Sequence, residues 1–525
     1  MHRSLLAPLS VLLLLAPAAH AAEYYVDASC EVDGDGTADA CATSAGGPGA
    51  WNGTVSDEAG GVQNCFNTLV AGDICWIKDG TYLTNWVGPD VRIGGGFHPA
   101  SSGTATEKIT YSAYPGHHPV LVNCSDGTMV ECSHQTISGN RQGHIVYDGL
   151  RIVGAFYLLN DAMSDRPIEI KNCDVSVGWF GDGNWAGIYL EKWDGNWIHH
   201  NYFHDIAPSP EVTQTATGLK HYTSINSIVE FNTFERIYTR AAGVDDKYDS
   251  VNNVIRYNLF HDISGYGVSF NSYSPINVPD PGSGEIYGNV FHLVNTGVRP
   301  VRNLSNLAVY NNTFYDVGET ISSPSDGDLE GLHLWNNLTS VINGSGENAQ
   351  INCYDPMGPT TSDYNAWELG VGFNIAATGY DTLADVQGAL GLDLSSHVDP
   401  CAFVDAGADF HLAAGSPCLT AGRVGGVESG AIVEQGAYGV TSCVGHTCDN
   451  PGTPPGGEGG AGGQAPGSGG SSANGDDAVP PNPSAPGCVC GVAAPRKDSM
   501  GALASLLLVL LRRRRVRRPP ARRRA

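Results

Sequence analysis

Apolar and polar residues alternate in short runs through the middle of the chain, as in the SIVEF run of residues 227–231. Alternation over a few residues predicts a β-strand with one buried face. Such runs lead into an Asn that recurs along the chain, at Asn172, Asn201, Asn232, Asn258, Asn289, Asn312 and Asn337. The steps between these residues are 29, 31, 26, 31, 23 and 25, and self-similarity at this period predicts a solenoid.

A second strand of each turn begins at a Gly. These residues are Gly187, Gly218, Gly243, Gly267 and Gly297. We therefore expect at least two short strands per turn, with successive turns stacked in parallel at about 4.8 Å. The stacked Asn side chains can form an amide ladder, because an amide both donates and accepts hydrogen bonds. An aromatic column is expected to stack inside the coil, formed by Phe203, Phe234, Phe260, Phe291 and Phe314.

The spacing between successive Asn residues of the repeat varies by eight residues, from 23 to 31, which places insertions in loops at the rim of the coil. This pattern resembles the right-handed parallel β-helix of the pectin-lyase-like superfamily. Residues 60–83 are similar to the family's opening cap, a short helix followed by a strand, and residues 409–422 and 436–439 resemble its closing coil. The resemblance implies an all-β fold, a single-stranded right-handed parallel β-helix with a short N-terminal capping helix.

The two ends of the chain differ from the repeats in composition. His2 and Arg3, the apolar stretch 5–15 and the small-residue box ending at Ala21 predict a secretory signal peptide. Residues 450–486 are rich in Gly, Pro, Ser and Ala, which predicts a flexible linker. The predicted divisions are 1–21 for the signal peptide, 22–115 for the N-terminal cap and first coils, 116–440 for the β-helix with its closing coil, 441–487 for the linker and 488–525 for a C-terminal sorting tail.

The C-terminal tail contains a Gly-Cys-Val-Cys motif at residues 487–490, an apolar run at 500–511 and an Arg cluster at 512–515. This order resembles the myxobacterial sorting tail called MYXO-CTERM. The resemblance implies export, processing near Cys488 and display on the cell surface, with attachment to the outer membrane through the tail or through a modified Cys488. The alternative is a plain membrane tail, although the apolar run is short for a bilayer span.

Export would allow disulfides, and twelve of the fourteen cysteines precede the tail. Closely spaced pairs that could bridge are Cys30/Cys41, Cys65/Cys75, Cys124/Cys132, Cys401/Cys418 and Cys443/Cys448. Cys173 and Cys353 are then left over, although connectivity cannot be deduced from spacing alone.

The formal net charge is −26, and residues 22–487 alone hold 16 Lys and Arg against 53 Asp and Glu, a charge of −37. Nucleic acid is excluded as a natural partner, because phosphate binding needs a basic face. Bare polyanionic glycans are disfavoured as well, unless bound Ca²⁺ bridges the charges. We expect a monomer whose partner is an extracellular polysaccharide.

Residues at matching positions of a parallel coil form columns, and alternate residues face outward. Aligning the Gly-led strands gives one outward column, Tyr189, Lys220, Asp245, Ser269 and Arg299. Two positions on, the neighbouring column is Glu191, Tyr222, Lys247, Asn271 and Val301. Tyr189, Glu191, Tyr222, His221 and Asn271 are candidate substrate-binding residues, because hydroxyl, amide and aromatic groups suit sugars. His221 and Asp246 fall at inward positions on adjacent rungs, where burial favours a His–Asp pair.

Three chemistries are compatible with such a groove. A polysaccharide lyase needs a base for the C5 proton and a cation that neutralises the uronate carboxylate. Lys220, Arg240, Lys247 and Arg299 are candidate catalytic cations. Asp245, Asp246 and Asp249 are candidate Ca²⁺ ligands, in a spacing similar to the acidic cluster of one pectate lyase family. This calcium site is an alternative to the buried His221–Asp246 pair, because it needs the strand to change register so that a turn exposes residues 245–249. A solvated turn without an ion is the other interpretation of this acidic segment.

Glycoside hydrolysis needs two opposed carboxylates. The positions that carry acids and a His in β-helix polygalacturonases hold residues 215–217, 241–242 and 265–267 here, without a carboxylate or a His. A polygalacturonase-type hydrolase is therefore disfavoured, and no motif supports a methylesterase. Two further hypotheses stay open, a non-catalytic glycan-binding or adhesive protein and a structural solenoid of the cell envelope.

Overall fold

The structure is a computed structural model, and it describes residues 21–53, 61–84, 95–123, 135–181, 184–206, 215–238, 242–248, 250–271, 282–301, 304–323, 331–342, 349–353 and 358–439. The signal-peptide residues before Ala21, the linker and the sorting tail with Cys488 lie outside these ranges. The division of the chain proposed from composition therefore stays a prediction. Among the described residues, no helix has the length and hydropathy needed to cross a bilayer.

One face of the coil is a sheet of thirteen parallel strands. In spatial order they are Trp51–Asn52, Glu23–Asp27, Ile74–Ile77, Ile109–Ala113, Ile145–Asp148, Ile168–Lys171, Trp197–His199, Ile228–Glu230, Val251–Arg256, Gly282–Tyr287, Leu304–Tyr310, Leu332–Trp335 and Thr361–Asp363. Neighbours in this sheet are separated in sequence by one turn of the coil, which is the arrangement expected of a solenoid.

The remaining strands form the other faces of the coil, and they pair mostly in parallel with strands one turn away. In chain order they are Thr81–Thr84, Val120–Asn123, Gln135–Asn140, Arg151–Ser164, Asp174–Val177, Trp179–Gly181, Asn184–Trp193, Tyr202–Ile206, Ala216–Tyr222, Thr233–Ile237, Ala242–Lys247, Leu259–Asn271, Val290–Val301, Thr313–Val317, Glu319–Ser323, Leu338–Ile342, Ala349–Cys353, Gly372–Ile375 and Thr378–Tyr380. The fold is an all-β parallel β-helix, as predicted.

The predicted asparagine ladder is present in the core. Asn201 Nδ2 donates to Asn232 Oδ1 at 2.9 Å, and the same bond repeats from Asn232 to Asn258 at 3.0 Å. Further rungs continue through Asn289, Asn312, Asn337 and Asn365. Each amide also donates to a backbone carbonyl of the preceding rung, so the ladder satisfies polar backbone groups at a buried corner.

The prediction was wrong by one residue at the first rung. Cys173, and not Asn172, occupies the ladder position, since its backbone N–H donates to Asn201 Oδ1 at 2.9 Å. Asn172 lies at the corner with a φ of 52° and donates to Asp148 at 2.7 Å. Sequence spacing also missed the last rung, Asn365, whose amide donates to the buried carboxylate of Asp393 at 3.0 Å.

The corner before the ladder has a constant length. From Val229, Ile255 and Ile286 in the first sheet, the ladder Asn always follows three residues later. The residue immediately before that Asn takes positive φ, as at Phe231 (53°) and Tyr257 (55°). All variation in the length of a turn therefore falls elsewhere in the turn, on the two sides of the Gly-led strands.

The aromatic column is confirmed, and it explains the repeated Gly. Phe203, Phe234, Phe260, Phe291 and Phe314 stack with ring centroids 4.7 to 5.0 Å apart. A Cβ on Gly243 would lie 2.4 Å from the Phe260 ring, and one on Gly218 would lie 2.5 Å from the Phe234 ring. The strands that follow the column can therefore approach it only where the residue has no side chain.

The ends of the coil are closed by non-repeating segments. A helix, Val62–Thr68, buries Phe66 at the N-terminal end and confirms the predicted capping helix. A second helix, Leu383–Leu390, was not predicted, although Thr382 and Asp385 form a capping box that is legible in the sequence. Short hairpins pair Phe403–Asp405 with Asp409–Leu412 and Gly422–Arg423 with Ile432–Val433. Three 3₁₀ turns complete the segment, at Pro417–Leu419, Val424–Gly426 and Ala437–Gly439.

Three of the predicted disulfides are present, Cys30–Cys41, Cys65–Cys75 and Cys401–Cys418. Cys173 and Cys353 are unbridged and buried, as the spacing suggested. Burial raises the pKa of the Cys173 thiol to about 12, so this thiol stays protonated at neutral pH. The pairs Cys124/Cys132 and Cys443/Cys448 lie outside the described residues.

Candidate functional site

The Gly-led strands pair in the register that the sequence alignment proposed. Tyr189 lies beside Lys220, Lys220 beside Asp245, Asp245 beside Ser269 and Ser269 beside Arg299. The neighbouring column joins Glu191, Tyr222, Lys247, Asn271 and Val301 in the same way. Side chains from residues over a hundred positions apart are thereby brought onto one face of the coil.

A pocket of about 350 Å³ opens on this face. Its described lining residues are Thr215, Ala242, Asp245, Lys247, Tyr266, Ser269 and Arg299. Four of the predicted outward residues are among them, since Asp245, Lys247, Ser269 and Arg299 converge there. Successive rungs supply one to three lining residues each, so the pocket depends on the stacking of the coil.

The pocket is locally basic in an acidic protein. Lys247 Nζ lies 3.9 Å from Asp245 Oδ2, and the Arg299 guanidinium lies 4.7 Å from the centre of the Tyr266 ring. Among the described lining residues, two cations therefore face one carboxylate. A cation over an aromatic ring is held without being neutralised, which leaves Arg299 available to an anionic ligand.

Lys220 is placed differently from the prediction. It is 1% exposed and is not among the described residues that line the pocket. Its Nζ lies 4.9 Å from the Tyr222 ring centre and 5.9 Å from that of Tyr189. The outward column is thus covered at this rung, and Lys247 instead of Lys220 presents an amine to the pocket.

The tyrosines beside the pocket stack on one another. The Tyr189 ring lies 4.8 Å from Tyr157 and 5.1 Å from Tyr222 by centroids, and Tyr189 is 6% exposed. Both faces of Tyr189 are occupied, so this ring does not offer a surface to a sugar as we expected. Its hydroxyl donates to Glu191 Oε2 at 3.2 Å, and Lys192 Nζ lies 3.2 Å from the other oxygen, Glu191 Oε1. Tyr222 remains partly exposed, between Tyr189 and Tyr248.

His221 and Asp246 lie on the inner side of their strands. His221 Nδ1 and Asp246 Oδ1 are 2.6 Å apart and both side chains are fully buried, so the predicted pairing is formed. His221 is therefore not placed to contact a substrate. Asp246 points away from Asp245, so these two carboxylates cannot bind one ion, and the predicted calcium site is not assembled by them. Asp249 and Arg240 lie outside the described residues, as does the side chain of Asn271.

Thr215, Ala242 and Tyr266 were not proposed as site residues from the sequence. Ala242 pairs with Tyr266 three positions before the predicted column, and Thr217 pairs with Ala242. Alternation alone would turn these residues inward. In the strand Leu259–Asn271 the pairing register shifts between Ile263 and Tyr266, which interrupts the alternation before Tyr266. These three residues could have been found from the sequence by extending the aligned columns to the positions before the Gly of each strand.

A histidine column lies on another face of the coil. His204, Glu235, His261 and His292 occupy one register position. His204 lies 2.8 Å from Asp174 and 2.6 Å from Asp205. Burial lowers the pKa of His204, but these two carboxylates outweigh it and raise the pKa above its usual value.

The column is tied to its neighbours by ion pairs and not arranged as a ligand set. Arg236 donates to both oxygens of Asp205, at 2.8 and 2.9 Å, and it holds the pKa of that carboxyl at about 2. Burial, with the neighbouring His261, lowers the pKa of His292 to about 4. Within the described ranges, the one three-residue group with metal-ligand spacing is Asp27, Cys30 and Cys41, whose two sulfurs form a disulfide.

Comparison with protein-family models agrees with this architecture. A family model described as a right-handed β-helix region matches residues 120–314. A search of curated proteins gave no match. Among solved structures, the pectate lyase Pel9A is 14% identical with a TM-score of 0.46, and the alignment covers 80% of this chain and 96% of that one.

Two further solved structures give similar values. A rhamnogalacturonan lyase is 14% identical with a TM-score of 0.33, over 63% of this chain and 85% of that one. An alginate lyase from Paenibacillus is 12% identical with a TM-score of 0.33, over 55% of this chain and 96% of that one. At these identities the likeness concerns the fold alone. Residues 120–314, which match the right-handed β-helix model, include the ladder from Asn201 to Asn312, the aromatic column and all of the described pocket residues.

Proposed function

We propose that this protein binds a uronate-containing polysaccharide and cleaves it by β-elimination in the pocket between Lys247 and Arg299. The observation that carries the proposal is the convergence of these two cations on a pocket in a chain whose net charge is −26. A strongly acidic protein repels polyanions at long range, so a basic pocket selects for a carboxylate at close range. Hydroxyls of Thr215, Ser269 and Tyr266 line the same pocket and suit a sugar.

Each cation has a role in the proposed reaction. Arg299 binds the uronate carboxylate through paired N–H donors and stabilises the negative charge that develops when C5 loses its proton. Lys247, in its neutral amine form, accepts the C5 proton. The electron pair of the C5–H bond forms the C4–C5 double bond, and the C4–O bond breaks with its electrons on the leaving oxygen. The Tyr266 hydroxyl donates a proton to that oxygen.

Calcium has no role in the steps proposed here. A Ca²⁺ site needs six to eight oxygen ligands, mostly carboxylates and carbonyls. Asp245 already faces Lys247 Nζ at 3.9 Å, and Asp246 is turned into the core. The described residues therefore do not fit the predicted ion, and in the proposed steps the charge of the substrate carboxylate is met by Arg299.

We also propose that the protein is exported and held at the cell surface, where it meets its polysaccharide. Three disulfides in the described part of the chain support an oxidising compartment. The linker and the tail that resembles a sorting signal give the means of attachment. We expect Ala21 to be the last residue removed with the signal peptide and Cys488 to be the processed residue of the tail.

A glycan-binding protein without catalysis is the second candidate. One observation favours it: Lys220, predicted as a base, is buried against two tyrosine rings. A pocket with Arg299 and hydroxyl donors can bind a uronate without an effective base. A purely structural solenoid is the third candidate, and it would need no pocket of this composition.

One experiment separates the three candidates. The purified full chain is incubated with pectate, alginate and other uronate polymers, and the ultraviolet absorbance of the unsaturated product is followed with and without a chelator. The lyase proposal expects absorbance to rise on at least one polymer, with the rate unchanged by the chelator. Retardation in a polymer-containing gel without any product would establish the binding protein, and neither product nor retardation would favour the structural role.

A further inference from the structure

The His221–Asp246 pair lies directly beneath the pocket. The two residues are neighbours on the adjacent strands Ala216–Tyr222 and Ala242–Lys247. On either side the same inward column holds Leu190 and Phe270, both fully buried. An ionisable pair therefore interrupts an otherwise apolar stack in the core, at the rungs that supply Asp245 and Lys247.

Asp246 is also anchored to the first sheet. Its Oδ2 accepts a hydrogen bond from Asn253 Nδ2 at 2.9 Å. Asn253 in turn donates to the Ser224 carbonyl at 3.0 Å and accepts from the Ser227 backbone N–H at 2.9 Å. Both carboxylate oxygens of Asp246 are thus held, one by the neighbouring strand and one from across the core.

Stability does not account for this pair. Replacing a buried ion pair by apolar residues of similar volume is often neutral or stabilising. Among the described residues, moreover, His221 Nε2 is buried without a hydrogen-bond partner, which is unfavourable. A Val or Leu at each position would fill the same space, so the pair has a use other than filling the core.

The alternation of side chains along a strand suggests that the pair orients the neighbouring pocket residues. Asp245 and Lys247 flank Asp246 in sequence and both line the pocket. Because successive side chains point to opposite faces, a residue locked inward fixes the direction of its two neighbours. Asp246, held at both oxygens, would then set the 3.9 Å separation of Asp245 and Lys247.

We infer that His221 and Asp246 are positioning residues, which hold the strand Ala242–Lys247 so that Asp245 and Lys247 converge on the ligand. Neither residue contacts the substrate. The inference deepens the proposed function and rests on it, because it concerns the same pocket. It predicts that an apolar core can replace the pair without loss of folding but with loss of the site.

The test compares the full chain with a double variant, His221→Val with Asp246→Val. A matched control, Thr320→Val with Thr339→Val, removes a buried hydroxyl pair 3.1 Å apart that is not among the described pocket residues. Melting temperature, kcat and KM are measured with a polymer that the wild type cleaves. Asn253 loses one acceptor in the double variant, so we expect a folded protein with a melting temperature at or modestly below that of the wild type. We expect kcat to fall by roughly 100-fold, the effect of a misplacement near 1 Å.

A second measurement needs no substrate. Lysine-selective labelling, read by peptide mass spectrometry, reports the surroundings of Lys247, with the partly exposed Lys108 as an internal reference. The inference expects the labelling rate of Lys247 to change in the double variant only, while that of Lys108 does not. An unchanged rate at Lys247 overturns the inference, as does an unchanged kcat in a folded double variant.

The two claims fail separately. If the wild type neither binds nor cleaves any uronate polymer but the Lys247 rate changes in the double variant, the proposed function falls and the positioning role stands. Suppose that the wild type cleaves a polymer, and that kcat falls equally in the double variant and in the Thr control, in proportion to the fall in melting temperature. The His221–Asp246 pair would then have only a structural role. That result overturns the inference and leaves the proposed function intact.

Discussion

Asn258 Nδ2 donates to Asn289 Oδ1 at 3.0 Å, and Asn258 Oδ1 accepts the amide of Asn232 at the same distance. Each ladder amide is therefore donor to one rung and acceptor from another, while its second N–H meets a backbone carbonyl. Since the site is built from side chains on successive rungs, this ladder is the part of the core on which the register of the pocket depends.

Replacing Asn258 by Ala should destabilise the protein strongly. The change leaves the Asn232 amide and its backbone N–H without their acceptor in a buried site. Buried unpaired polar groups cost about 1–3 kcal/mol each, so we expect a loss on the order of 3 kcal/mol in the free energy of unfolding. Urea denaturation measures it, and Asn306→Ala at an exposed strand position serves as the control. Equal midpoints for the two variants would contradict the ladder's role.

The second prediction concerns the Gly-led strands. Gly243→Ala places a Cβ 2.4 Å from the Phe260 ring, which must shift within a packed column. Overpacking of this kind costs about 1–3 kcal/mol. Gly388→Ala is the matched control, because nothing lies within 4 Å of its Cβ and it sits in the helix Leu383–Leu390. We expect a lower melting temperature for the first variant and a slightly higher one for the second, by differential scanning calorimetry.

The two cations of the proposed mechanism can be tested by substitution. Lys247→Ala should lower kcat by roughly 100-fold or more if this amine takes the C5 proton. Arg299→Ala should raise KM as well, since the carboxylate then loses its paired donors. Arg141→Ala is the control, because Arg141 is exposed and is not among the described pocket residues. A Lys247→Ala enzyme with wild-type kcat would remove Lys247 from the proposed mechanism.

The fourth prediction is a pH dependence of stability. Asp174 and Asp205 raise the pKa of His204 in the folded state, despite the opposing effect of burial. Protonated His204, paired with these two carboxylates, therefore stabilises the fold fully below the ordinary His pKa of about 6.5. This contribution is lost as pH rises through the raised pKa of His204 in the folded state. His204→Gln should flatten that part of the profile of unfolding midpoint against pH. His333→Gln is the control, because the His333 ring contacts the Thr361 hydroxyl, and it should leave that part of the profile unchanged. Parallel profiles for wild type and His204→Gln would contradict the assignment.

The coil and its columns could be predicted because they are periodic. A repeated Asn, a repeated Phe and a repeated Gly each mark one position of a turn, and stacking converts sequence spacing into neighbours in space. The same alignment paired Lys220 with Asp245 and turned His221 and Asp246 inward, as the structure has them.

The positions that the sequence analysis missed depend on local backbone conformation and side-chain packing, which the repeat period does not determine. Asn172 was misplaced because two adjacent residues, Asn172 and Cys173, both fit the phrase, and a positive φ decided between them. Lys220 lies in the outward column yet is buried, since what covers a column is set by the packing of neighbouring side chains and segments. Tyr266 reaches the pocket just after a register shift inside the strand Leu259–Asn271, which alternation cannot indicate.

The corner before each ladder Asn always has three residues, so a change in the length of a turn occurs outside this corner. Segments that lengthen or shorten a turn join the Gly-led strands on either flank and leave the corner untouched. Exchange of those flanking segments should therefore alter which polymer is accepted while the melting temperature holds. The molecule is for that reason a suitable scaffold for engineering altered specificity by loop grafting.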